Sequence, residues 1–447
     1  MLKYHVWTIG CQMNKADSER LESALEQMGF ASAQSPDDAS VIVLNSCVVR
    51  QKSEDKVVGM LNALKPLKAQ DPERVVALMG CMVGPKADEL QRRFPYVDVF
   101  MRPQQYQPLI DLLGGRYGIE TEGCLRQLTA KPQVSTFIPI IHGCDKFCTF
   151  CIIPYRRGRQ RSVPIEDVVA EAEALVRRGV REITLLGQTV DAYGSDLPGN
   201  PDLADLLEAV NGVDGLLRIR FLTSHPSDMS DRIIKAVADL DKVCENINLP
   251  FQAGDDAILE SMRRGYTNKD YRRLIEKIRG TVPNVSISTD VIVGFCGETE
   301  AQFQESVKLI KDLRFDKVHV AAYSPREGTI AWRSVEDDVP LQEKKRRLRV
   351  VEDTQEKIGA EINAGYLGRV EDVLIDSVKD GVASGRNRND RLVYLSVLRQ
   401  ALRTGGVRTN PNQGGGQDER SEDRLGEMVK VRIEKTGPWS LQGTIVL

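Results

Sequence analysis

Residues 143–155 read GCDKFCTFCIIPY and place three cysteines, Cys144, Cys148 and Cys151, within eight positions. The stretch follows the apolar segment TFIPII, a predicted buried strand, so the thiols lie on the loop that leaves its carboxyl end. Such close spacing is typical of cysteines that hold an iron–sulfur cluster. A ferredoxin adds a fourth cysteine, whereas three thiolates on a 4Fe-4S cluster leave one iron open to a small molecule.

A structural zinc ion is the alternative that this spacing leaves open. Structural zinc is normally closed by four ligands, often two Cys-x-x-Cys pairs, and no second pair follows Cys151. His142 is the candidate for a fourth ligand. The cluster interpretation is favoured because it accounts for three thiols.

The composition indicates a globular protein of several domains. A chain of 447 residues is too long for one ordinary core, and 41% hydrophobic with 28% charged residues is typical of a soluble fold. No apolar run is long enough to span a bilayer, and the start MLKYHVWTIG lacks the apolar core of a signal peptide, so we expect a cytoplasmic protein without a membrane segment. In that compartment the nine cysteines suit metal ligands, catalytic thiols or core residues better than disulfides.

Three short apolar segments in the first quarter of the chain, YHVWTIGC, VIVLNSC and RVVALMGC, each end at a cysteine. Between and after them, apolar residues recur at helical spacing: Leu21, Leu25 and Met28; Val57, Leu61 and Leu64; Ala87, Leu90 and Phe94. This alternation predicts a parallel sheet, in which the carboxyl ends of neighbouring strands share one edge. We therefore expect Cys11, Cys47 and Cys81 to converge there. A buried cysteine is often only a small core residue, but three repeats of one placement favour a shared site.

The alternation of strand and helix resumes between about 134 and 330. Six segments have the length and apolar content of buried strands: TFIPII, EITLLG, RIRFLT, ENINLP, SISTDVIVGF and KVHVAAY. Helical stretches such as IEDVVAEAEALVRRG and EAQFQESVKLIKDL separate them. Six such units predict a partial (β/α)6 barrel whose site lies on the loops after the strands.

The pattern changes after LQEKKRRLRVVEDTQEKIGAEI, a predicted long amphipathic helix with an apolar stripe at Leu348, Val351, Ile358 and Ile362. From about residue 367, GRVEDVLIDSV, RLVYLSVL, GEMVKVRIEKT and LQGTIVL alternate with period two, which predicts a small antiparallel β-barrel. Glycine-rich polar sequence near 399–424 predicts a mobile loop. The fold class is therefore α/β, with a small β-barrel at the end.

The Cys-x3-Cys-x2-Cys motif after the first strand of a βα barrel, with an aromatic residue before the last cysteine, resembles the signature of radical S-adenosylmethionine (SAM) enzymes. In those enzymes the open iron binds the amino and carboxylate groups of SAM, and an electron from the cluster releases a 5'-deoxyadenosyl radical. Further segments narrow the resemblance to radical SAM methylthiotransferases of the MiaB type, tRNA 2-methylthioadenosine synthases: GCQMNKADSE, NSCVVRQKSEDKV, GCM, GCDKFCTFCIIPYRRGR, LLGQTVDAYG, TSHP, GYTNKDY, VGFCGETE and YSPREGT. The resemblance covers nearly the whole chain.

The resemblance implies three domains: a methylthiotransferase domain over 1–125, a radical SAM domain over 130–365 and a TRAM-like tRNA-binding domain over 366–447. It implies two 4Fe-4S clusters. The catalytic cluster would be held by Cys144, Cys148 and Cys151, and the second, which carries the sulfur to be inserted, by Cys11, Cys47 and Cys81.

The resemblance also implies a substrate and partners. One SAM molecule would methylate the sulfur and another would supply the radical that acts on an adenosine next to the tRNA anticodon. A flavodoxin or ferredoxin is the expected electron donor. Relatives act on isopentenyl-adenosine, on threonylcarbamoyl-adenosine or on a ribosomal protein aspartate, and CVVRQKSEDKVVGML resembles the isopentenyl type most.

The sequence departs from the family pattern in two places. Cys296 stands in GFCGETE where relatives usually have proline, and GRQRSVP stands where they commonly have a glutamate and a further arginine. Both departures concern the positioning of cofactor or substrate and leave the reaction class unchanged.

Polar residues at strand ends are candidates for the cofactor pocket. Gln188, Gln252 and Asp290 fall at or just after predicted strands of the radical domain. A polar residue at such a place is also often a turn former.

A formal net charge of −3 gives the chain no general positive coat, so contacts with nucleic acid must come from local basic patches. The run RRGRQR supplies one candidate set at the mouth of the barrel: Arg156, Arg157, Arg159 and Arg161. The strand KVRIEK supplies another, near Trp439: Lys430, Arg432 and Lys435. A solvated turn and any half-exposed strand would give the same patterns.

A function of another class is compatible with these features: an RNA-binding iron–sulfur protein that senses redox state or passes electrons. The complete set of radical-domain motifs around an open iron favours the enzyme. Cys124, Cys244 and Cys296 lack ligand spacing and are interpreted as core residues.

Overall fold

The structure is a computed structural model that describes residues 2–48, 51–84, 87–121, 133–395 and 424–446. Cys124 and, but for its last residue, the predicted loop near 399–424 lie outside these ranges. So do Val49 and Arg50 of the segment that resembles the isopentenyl type.

A five-stranded parallel sheet with the order β2-β1-β3-β4-β5 forms the N-terminal part. Its strands are β1 (Lys3–Thr8), β2 (Ala31–Ser32), β3 (Val41–Ser46), β4 (Val75–Gly80) and β5 (Val99–Met101). Its helices are α1 (Gln12–Gln27), α2 (Gln51–Gln70), α3 (Asp88–Arg93) and α4 (Gln107–Tyr117). The three predicted strands are confirmed as β1, β3 and β4, and every residue of β3 and β4 is buried because helices cover both faces.

Six parallel strands form the central part in two sheets, β10-β9-β6 and β11-β12-β13. These strands are β6 (Ser135–Pro139), β9 (Glu182–Leu186), β10 (Arg218–Leu222), β11 (Asn246–Asn248), β12 (Ser286–Val293) and β13 (Lys317–Ala322), and they confirm all six predictions. The backbone N–H of Ile219 donates to Lys242 (2.7 Å) and that of Ser224 to Asn248 (3.2 Å), so the two sheets continue as a partial barrel. A short antiparallel pair, β7 (Ile141–His142) and β8 (Arg161–Ser162), closes the base of the cysteine loop.

The helices of the central part are α5 (Ile153–Arg157), α6 (Ile165–Arg177), α7 (Leu203–Asn211), α8 (Asp231–Asp239), α9 (Asp256–Ser261), α10 (Asn268–Thr281), α11 (Glu300–Leu313), α12 (Ile330–Ser334) and α13 (Leu341–Ala364). Capping boxes at Thr267 and Thr299 start α10 and α11, because each hydroxyl accepts a backbone N–H of the first turn. The predicted long helix is confirmed as α13. Its residues Val351 and Ile358 are buried in the core of the partial barrel, so this helix packs on the barrel.

The C-terminal part is a closed barrel with the strand order β14-β15-β16-β18-β17. Its strands are β14 (Val370–Lys379), β15 (Val382–Arg386), β16 (Leu392–Leu395), β17 (Met428–Thr436) and β18 (Leu441–Ile445). The prediction of a wholly antiparallel barrel is wrong in one respect, because β16 and β18 pair in parallel. Five strands closed into a ring cannot all alternate in direction, so at least one pair must run the same way.

The C-terminal barrel docks on the amino ends of the central strands. Arg220 of β10 donates to the carbonyl oxygens of Asn387 (2.7 Å) and Arg388 (2.9 Å), and Arg388 pairs with Glu245, just before β11, at 2.7 Å. The N-terminal part instead packs at the carboxyl ends of those strands, where the cysteine loop lies. Within the described ranges, no helix has the length and apolar character needed to cross a membrane.

Candidate active site at two cysteine triads

Three cysteines at the edge of the N-terminal sheet, Cys11, Cys47 and Cys81, form the N-terminal triad. Strands β1, β3 and β4 are neighbours in register, with Thr8 opposite Asn45 and Asn45 opposite Met79. Each cysteine follows its strand by a few residues, so all three reach the same edge. The pKa of the Cys81 thiol is raised to about 11, chiefly by burial and also by the nearby thiols of Cys47 and Cys11, against the lowering effect of Arg157. The structure thus brings together the three residues that the sequence grouped.

A buried amide and hydroxyl network ties these strand ends together. The Nδ2 of Asn14 donates to Oδ1 of Asn45 (2.9 Å) and to the carbonyl oxygen of Ser46 (3.1 Å), and Nδ2 of Asn45 donates to the carbonyl oxygen of Asn14 (2.7 Å). Ser46 Oγ donates to the carbonyl oxygen of Met79 (2.6 Å) and accepts the N–H of Met82 (3.2 Å). These residues were missed from the sequence. The signal was present in VIVLNSC, where an otherwise apolar buried strand ends in two polar residues.

Glycine precedes a cysteine in each triad for a steric reason. Gly80 has φ +98°, and a Cβ there would lie 2.4 Å from the carbonyl oxygen of Ser46. Gly143 has φ +70°, and its Cβ would lie 2.2 Å from the carbonyl oxygen of Arg159. Only glycine fits both the conformation and the space, so these two turns have fixed geometry.

The loop triad consists of Cys144, Cys148 and Cys151. Sγ of Cys144 lies 3.4 Å from Oγ1 of Thr189, which follows β9, and the backbone N–H of Cys144 donates to Gly158 (3.2 Å). The pKa of the Cys151 thiol is raised to about 12, chiefly by burial and also by the neighbouring thiols of Cys148 and Cys144. The loop therefore folds back so that its three thiols are close together.

A buried arginine that the sequence analysis missed contacts the loop triad. Nη1 of Arg264 donates to Sγ of Cys148 at 3.3 Å. Its other nitrogens are fixed, because Nη2 donates to the carbonyl oxygen of Pro250 (3.1 Å) and Nε to the hydroxyl of Tyr266 (3.1 Å). The sequence around it, SMRRGYT, gave no sign that one of two adjacent arginines is buried.

The two triads border one interface. Ile152, next to Cys151, belongs to the same buried apolar cluster as Cys81. Helix α1, which begins just after Cys11, packs Met13 against Leu186 at the carboxyl end of β9. The N-terminal sheet edge therefore faces the carboxyl ends of the central strands.

The arginine run after the loop triad is only partly exposed. Arg159 and Arg161 are exposed, and Arg156 is half-buried. The side chain of Arg157 is 2% exposed, and its Nη2 lies 2.9 Å from Oδ2 of Asp17, whose side chain is 1% exposed. The prediction that Arg157 contacts RNA phosphate is therefore wrong, because α5 turns this guanidinium into the interior.

Of the three residues predicted for the cofactor pocket, Gln188 and Gln252 follow β9 and β11, whereas Asp290 lies within β12 and accepts a hydrogen bond from Nδ2 of Asn248 (3.1 Å). Gln188 directly precedes Thr189, the contact of Cys144. The backbone N–H of Gln252 donates to the carbonyl oxygen of Asp290 (2.9 Å), and Oε1 of Gln252 is buried without a partner among the described residues. Their role in binding a cofactor stays a prediction.

The predicted basic face of the C-terminal barrel is exposed. Lys430 and Arg432 alternate with buried residues of β17, and a β-bulge between Ile433 and Lys435 turns Lys435 outward as well. Lys430 pairs with Asp372 at 3.0 Å. Trp439 is 57% exposed. RNA binding by this face also stays a prediction.

His142, the candidate fourth ligand of a zinc ion, has another partner in the structure. His142 is hydrogen-bonded to Gln104. Across the described ranges, no three His, Cys, Asp or Glu side chains are placed to hold a metal ion. A four-iron cube is bulkier than one ion and spaces its thiolates more widely.

The surroundings of the two cysteine triads suit negatively charged iron–sulfur clusters. A cluster held by thiolates carries negative charge around its sulfurs, and each triad has a buried guanidinium beside it: Arg157 near Cys81 and Arg264 at Cys148. Buried Arg326 also lies near Cys47. The residues present therefore fit iron–sulfur clusters at both triads.

Comparison with known proteins identifies the family. The profile of the radical SAM superfamily matches residues 138–310, and that of the uncharacterized protein family UPF0004 matches residues 3–102. A tRNA-2-methylthio-N(6)-dimethylallyladenosine synthase of Roseiflexus sp. (strain RS-1) is 47% identical over 99% of this chain and 89% of its own length. One of Dehalococcoides mccartyi (strain CBDB1) is 44% identical over 99% of this chain and 98% of its own length. The chain belongs to this MiaB-type family of radical SAM methylthiotransferases.

The family membership confirms the resemblance and the enzyme class. The non-catalytic RNA-binding alternative and the two other substrate types are not favoured, because the full-length relatives carry the dimethylallyladenosine name. Among solved structures, the radical SAM methyltransferase TsrM of Kitasatospora setae has a TM-score of 0.52 at 13% identity, covering 71% of this chain and 73% of its own. That likeness shows a shared radical SAM fold.

Proposed function

We propose that the protein replaces a hydrogen on the adenine of N(6)-dimethylallyladenosine, next to the anticodon of tRNA, with a methylthio group. The observation that carries this proposal is the pair of thiol triads that border one interface, in a chain whose full-length relatives are named as synthases of this product. One triad alone would suit many radical SAM reactions. A second triad within reach supplies a place for the sulfur that the product gains.

The loop triad would hold a 4Fe-4S cluster with one iron open to SAM, and the N-terminal triad would hold a second. When bound, the clusters supply the electron that cleaves SAM to a 5'-deoxyadenosyl radical and the sulfur to be transferred. The chain's own residues position these groups. Arg264 fixes the Cys148 thiolate, and the network around Asn45 holds the edge of the N-terminal sheet. We assign Gln188, Gln252 and Asp290 to the SAM pocket because Gln188 and Gln252 lie beyond the carboxyl ends of β9 and β11, and the backbone of Gln252 is hydrogen-bonded to that of Asp290.

We propose the domain division 1–125, 130–365 and 366–447, because each range contains one of the three described strand systems. The last domain would be TRAM-like and would bind the anticodon arm through Lys430, Arg432 and Lys435, while Arg156, Arg159 and Arg161 contact phosphates near the loop triad. A flavodoxin or ferredoxin would supply electrons, and the reaction would take place in the cytoplasm.

The test is a reaction of anaerobically reconstituted protein with reductant, SAM labelled in its methyl group, and an anticodon stem-loop that carries N(6)-dimethylallyladenosine. We expect mass spectrometry of the nucleosides to find the 2-methylthio product with the label. The same stem-loop with threonylcarbamoyl-adenosine should stay unmodified.

Two variants separate the roles of the triads. Cys148→Ala should form neither 5'-deoxyadenosine nor product. Cys47→Ala should still form 5'-deoxyadenosine but no methylthio product. A wild-type protein that cleaves SAM but leaves the dimethylallyl stem-loop unmodified would overturn the proposal.

A further inference from the structure

Arg157 connects the two triads physically. It is the last residue of α5, the short helix that continues from the loop triad, and its guanidinium reaches across the interface to Asp17 of α1. Asp17 lies on the helix that begins just after Cys11. Both side chains are almost fully buried, at 2% and 1% exposure. A buried ion pair of this kind adds little net stability by itself, because the desolvation of both charges opposes their attraction.

Two donors of the Arg157 guanidinium have no acceptor with hydrogen-bond geometry in the part of the chain that the structure describes. Nη2 donates to Asp17, whereas Nε and Nη1 are buried without a hydrogen-bond partner among the described residues. A buried N–H without an acceptor costs on the order of 1–3 kcal/mol, so native structures rarely leave one unpaired. Unpaired buried donors on a cation indicate an acceptor that is absent from the polypeptide, and a negatively charged one fits best.

The position of the guanidinium identifies that acceptor. Asp17, the partner of Nη2, lies on the helix capped by Cys11, and its neighbour Ser18 accepts a hydrogen bond from Nδ2 of Asn45 (2.9 Å), two residues before Cys47. At the loop triad, Arg264 lies beside Cys148, with Nη1 at 3.3 Å from Sγ. An anionic cluster held by the N-terminal triad would supply acceptors for Nε and Nη1.

A second ion pair across the same interface shows what a purely structural contact looks like. Arg20 of α1 binds both carboxylate oxygens of Glu171 of α6 at 2.8 Å, and their side chains are 34% and 15% exposed. That pair is partly solvated, and neither residue has a buried donor without a partner in the described part of the chain. Arg157 differs in both respects.

We infer that Arg157 is a positioning residue that donates from Nε and Nη1 to sulfur of the cluster on the N-terminal triad and raises the reduction potential of that cluster. Asp17 aims the guanidinium and partly offsets its charge. Hydrogen bonds to the sulfurs and local positive charge are two of the factors that set such potentials. This inference rests on the proposed function, since it requires a second cluster.

The test measures the reduction potential of one cluster at a time. In a background with Cys144→Ala, Cys148→Ala and Cys151→Ala, only the N-terminal triad can hold a cluster, and a redox titration followed by electron paramagnetic resonance reports its potential. Three variants are compared in that background: Asp17→Asn, Asp17→Asn with Arg157→Met, and Arg20→Met with Glu171→Gln. The double variant at Asp17 avoids an unpaired buried carboxylate, and the last variant controls for the loss of an interface ion pair.

We expect the reduction potential to shift in opposite directions in Asp17→Asn and in the double variant. Asp17→Asn should raise the potential because the guanidinium keeps its charge and loses its counter-charge. The Asp17→Asn, Arg157→Met variant should lower it below the value of the background protein, and the Arg20, Glu171 variant should leave it unchanged. If the double variant binds no iron, the comparison of reduction potential between Asp17→Asn and the background protein tests the inference by itself.

Equal potentials in the background protein, in Asp17→Asn and in the double variant would overturn the inference and make Arg157 a structural ion pair, while leaving the proposed function intact. A background protein that binds no cluster at all would instead overturn the proposed function together with the inference.

Discussion

Nη1 of Arg264 lies 3.3 Å from Sγ of Cys148, so a buried cation donates directly to the central thiol of the loop triad. The guanidinium is held from three sides, because its other nitrogens contact the backbone of Pro250 and the hydroxyl of Tyr266. A charge-assisted hydrogen bond of this kind stabilises a thiolate and fixes the direction of its lone pairs. Arg264 therefore orients a ligand of the proposed radical cluster without being one.

Replacement of Arg264 should slow the cleavage of SAM. For Arg264→Gln we expect 5'-deoxyadenosine to form about 10- to 100-fold more slowly, the usual effect of losing a group that orients a metal ligand. Arg264→Lys should recover part of the rate because it restores the charge. The adjacent, exposed Arg263 is the matched control, and equal rates in Arg264→Gln and Arg263→Gln would contradict the assignment.

Gly80→Ala should prevent assembly of the N-terminal triad. The new methyl group would meet the carbonyl oxygen of Ser46 at 2.4 Å, so the turn that carries Cys81 must shift. We expect the variant to bind about half of the iron of the wild-type protein, since the loop triad is unaffected. Gly29→Ala is the control, because its φ is also positive (+87°) but no atom lies within 4 Å of the added Cβ. Similar iron contents in the two variants would rule out the steric explanation.

Ionisation of the Glu22 carboxyl group should lower the free energy of unfolding as the pH rises. The pKa of Glu22 is raised to about 7 from an ordinary 4.5, chiefly by burial and also by the carboxylates of Glu19 and Glu26. The folded state therefore holds this proton more tightly than the unfolded chain, and stability is lost between about pH 4.5 and pH 7. Glu22→Gln should unfold at a higher temperature than wild type at about pH 8 and at the same temperature at about pH 4.

The control for this prediction is Glu305→Gln, a substitution at an exposed position of α11. It should not alter the unfolding temperature at either pH. A Glu22→Gln protein that gains nothing at about pH 8 would show that the carboxylate is solvated in the folded state.

The basic face of the C-terminal barrel should contribute to tRNA affinity. Replacement of Lys430, Arg432 and Lys435 by alanine should weaken binding and flatten its dependence on salt, because fewer counterions are released. Both clusters and cleavage of SAM without RNA should be retained. The control removes three exposed cations elsewhere: Lys235, Lys269 and Arg273. Identical salt slopes in the two triple variants would mean that only net charge matters.

The sequence predicted the elements that lie in continuous apolar runs. Strands β1, β3 and β4 each end at a glycine, serine or threonine shortly before a cysteine. This regularity in the sequence predicts that the three cysteines of the N-terminal triad share one edge of the sheet. Strands β2 and β5 were missed because two and three residues are too few for a periodic signal. They exist only because the neighbouring strands offer hydrogen-bond partners.

Contacts between residues far apart in the chain could not be predicted from the sequence. RRGRQR reads as a solvated turn, yet Arg157 meets Asp17, 140 positions earlier in the chain. Likewise, the partner of Asn14 is Asn45, and neither amide stands out until β1 and β3 lie side by side. A residue whose role depends on a partner far away in the sequence can be recognised only once the chain is folded.

The most direct test of the account is an iron, sulfide and zinc analysis of anaerobically purified protein and of two triple variants, one with alanine at Cys11, Cys47 and Cys81 and one with alanine at Cys144, Cys148 and Cys151. Two separate clusters predict about eight irons and eight sulfides per wild-type chain and about four of each in either variant. A single zinc per chain, or a triple variant that keeps the full iron content, would contradict the assignment of one cluster to each triad.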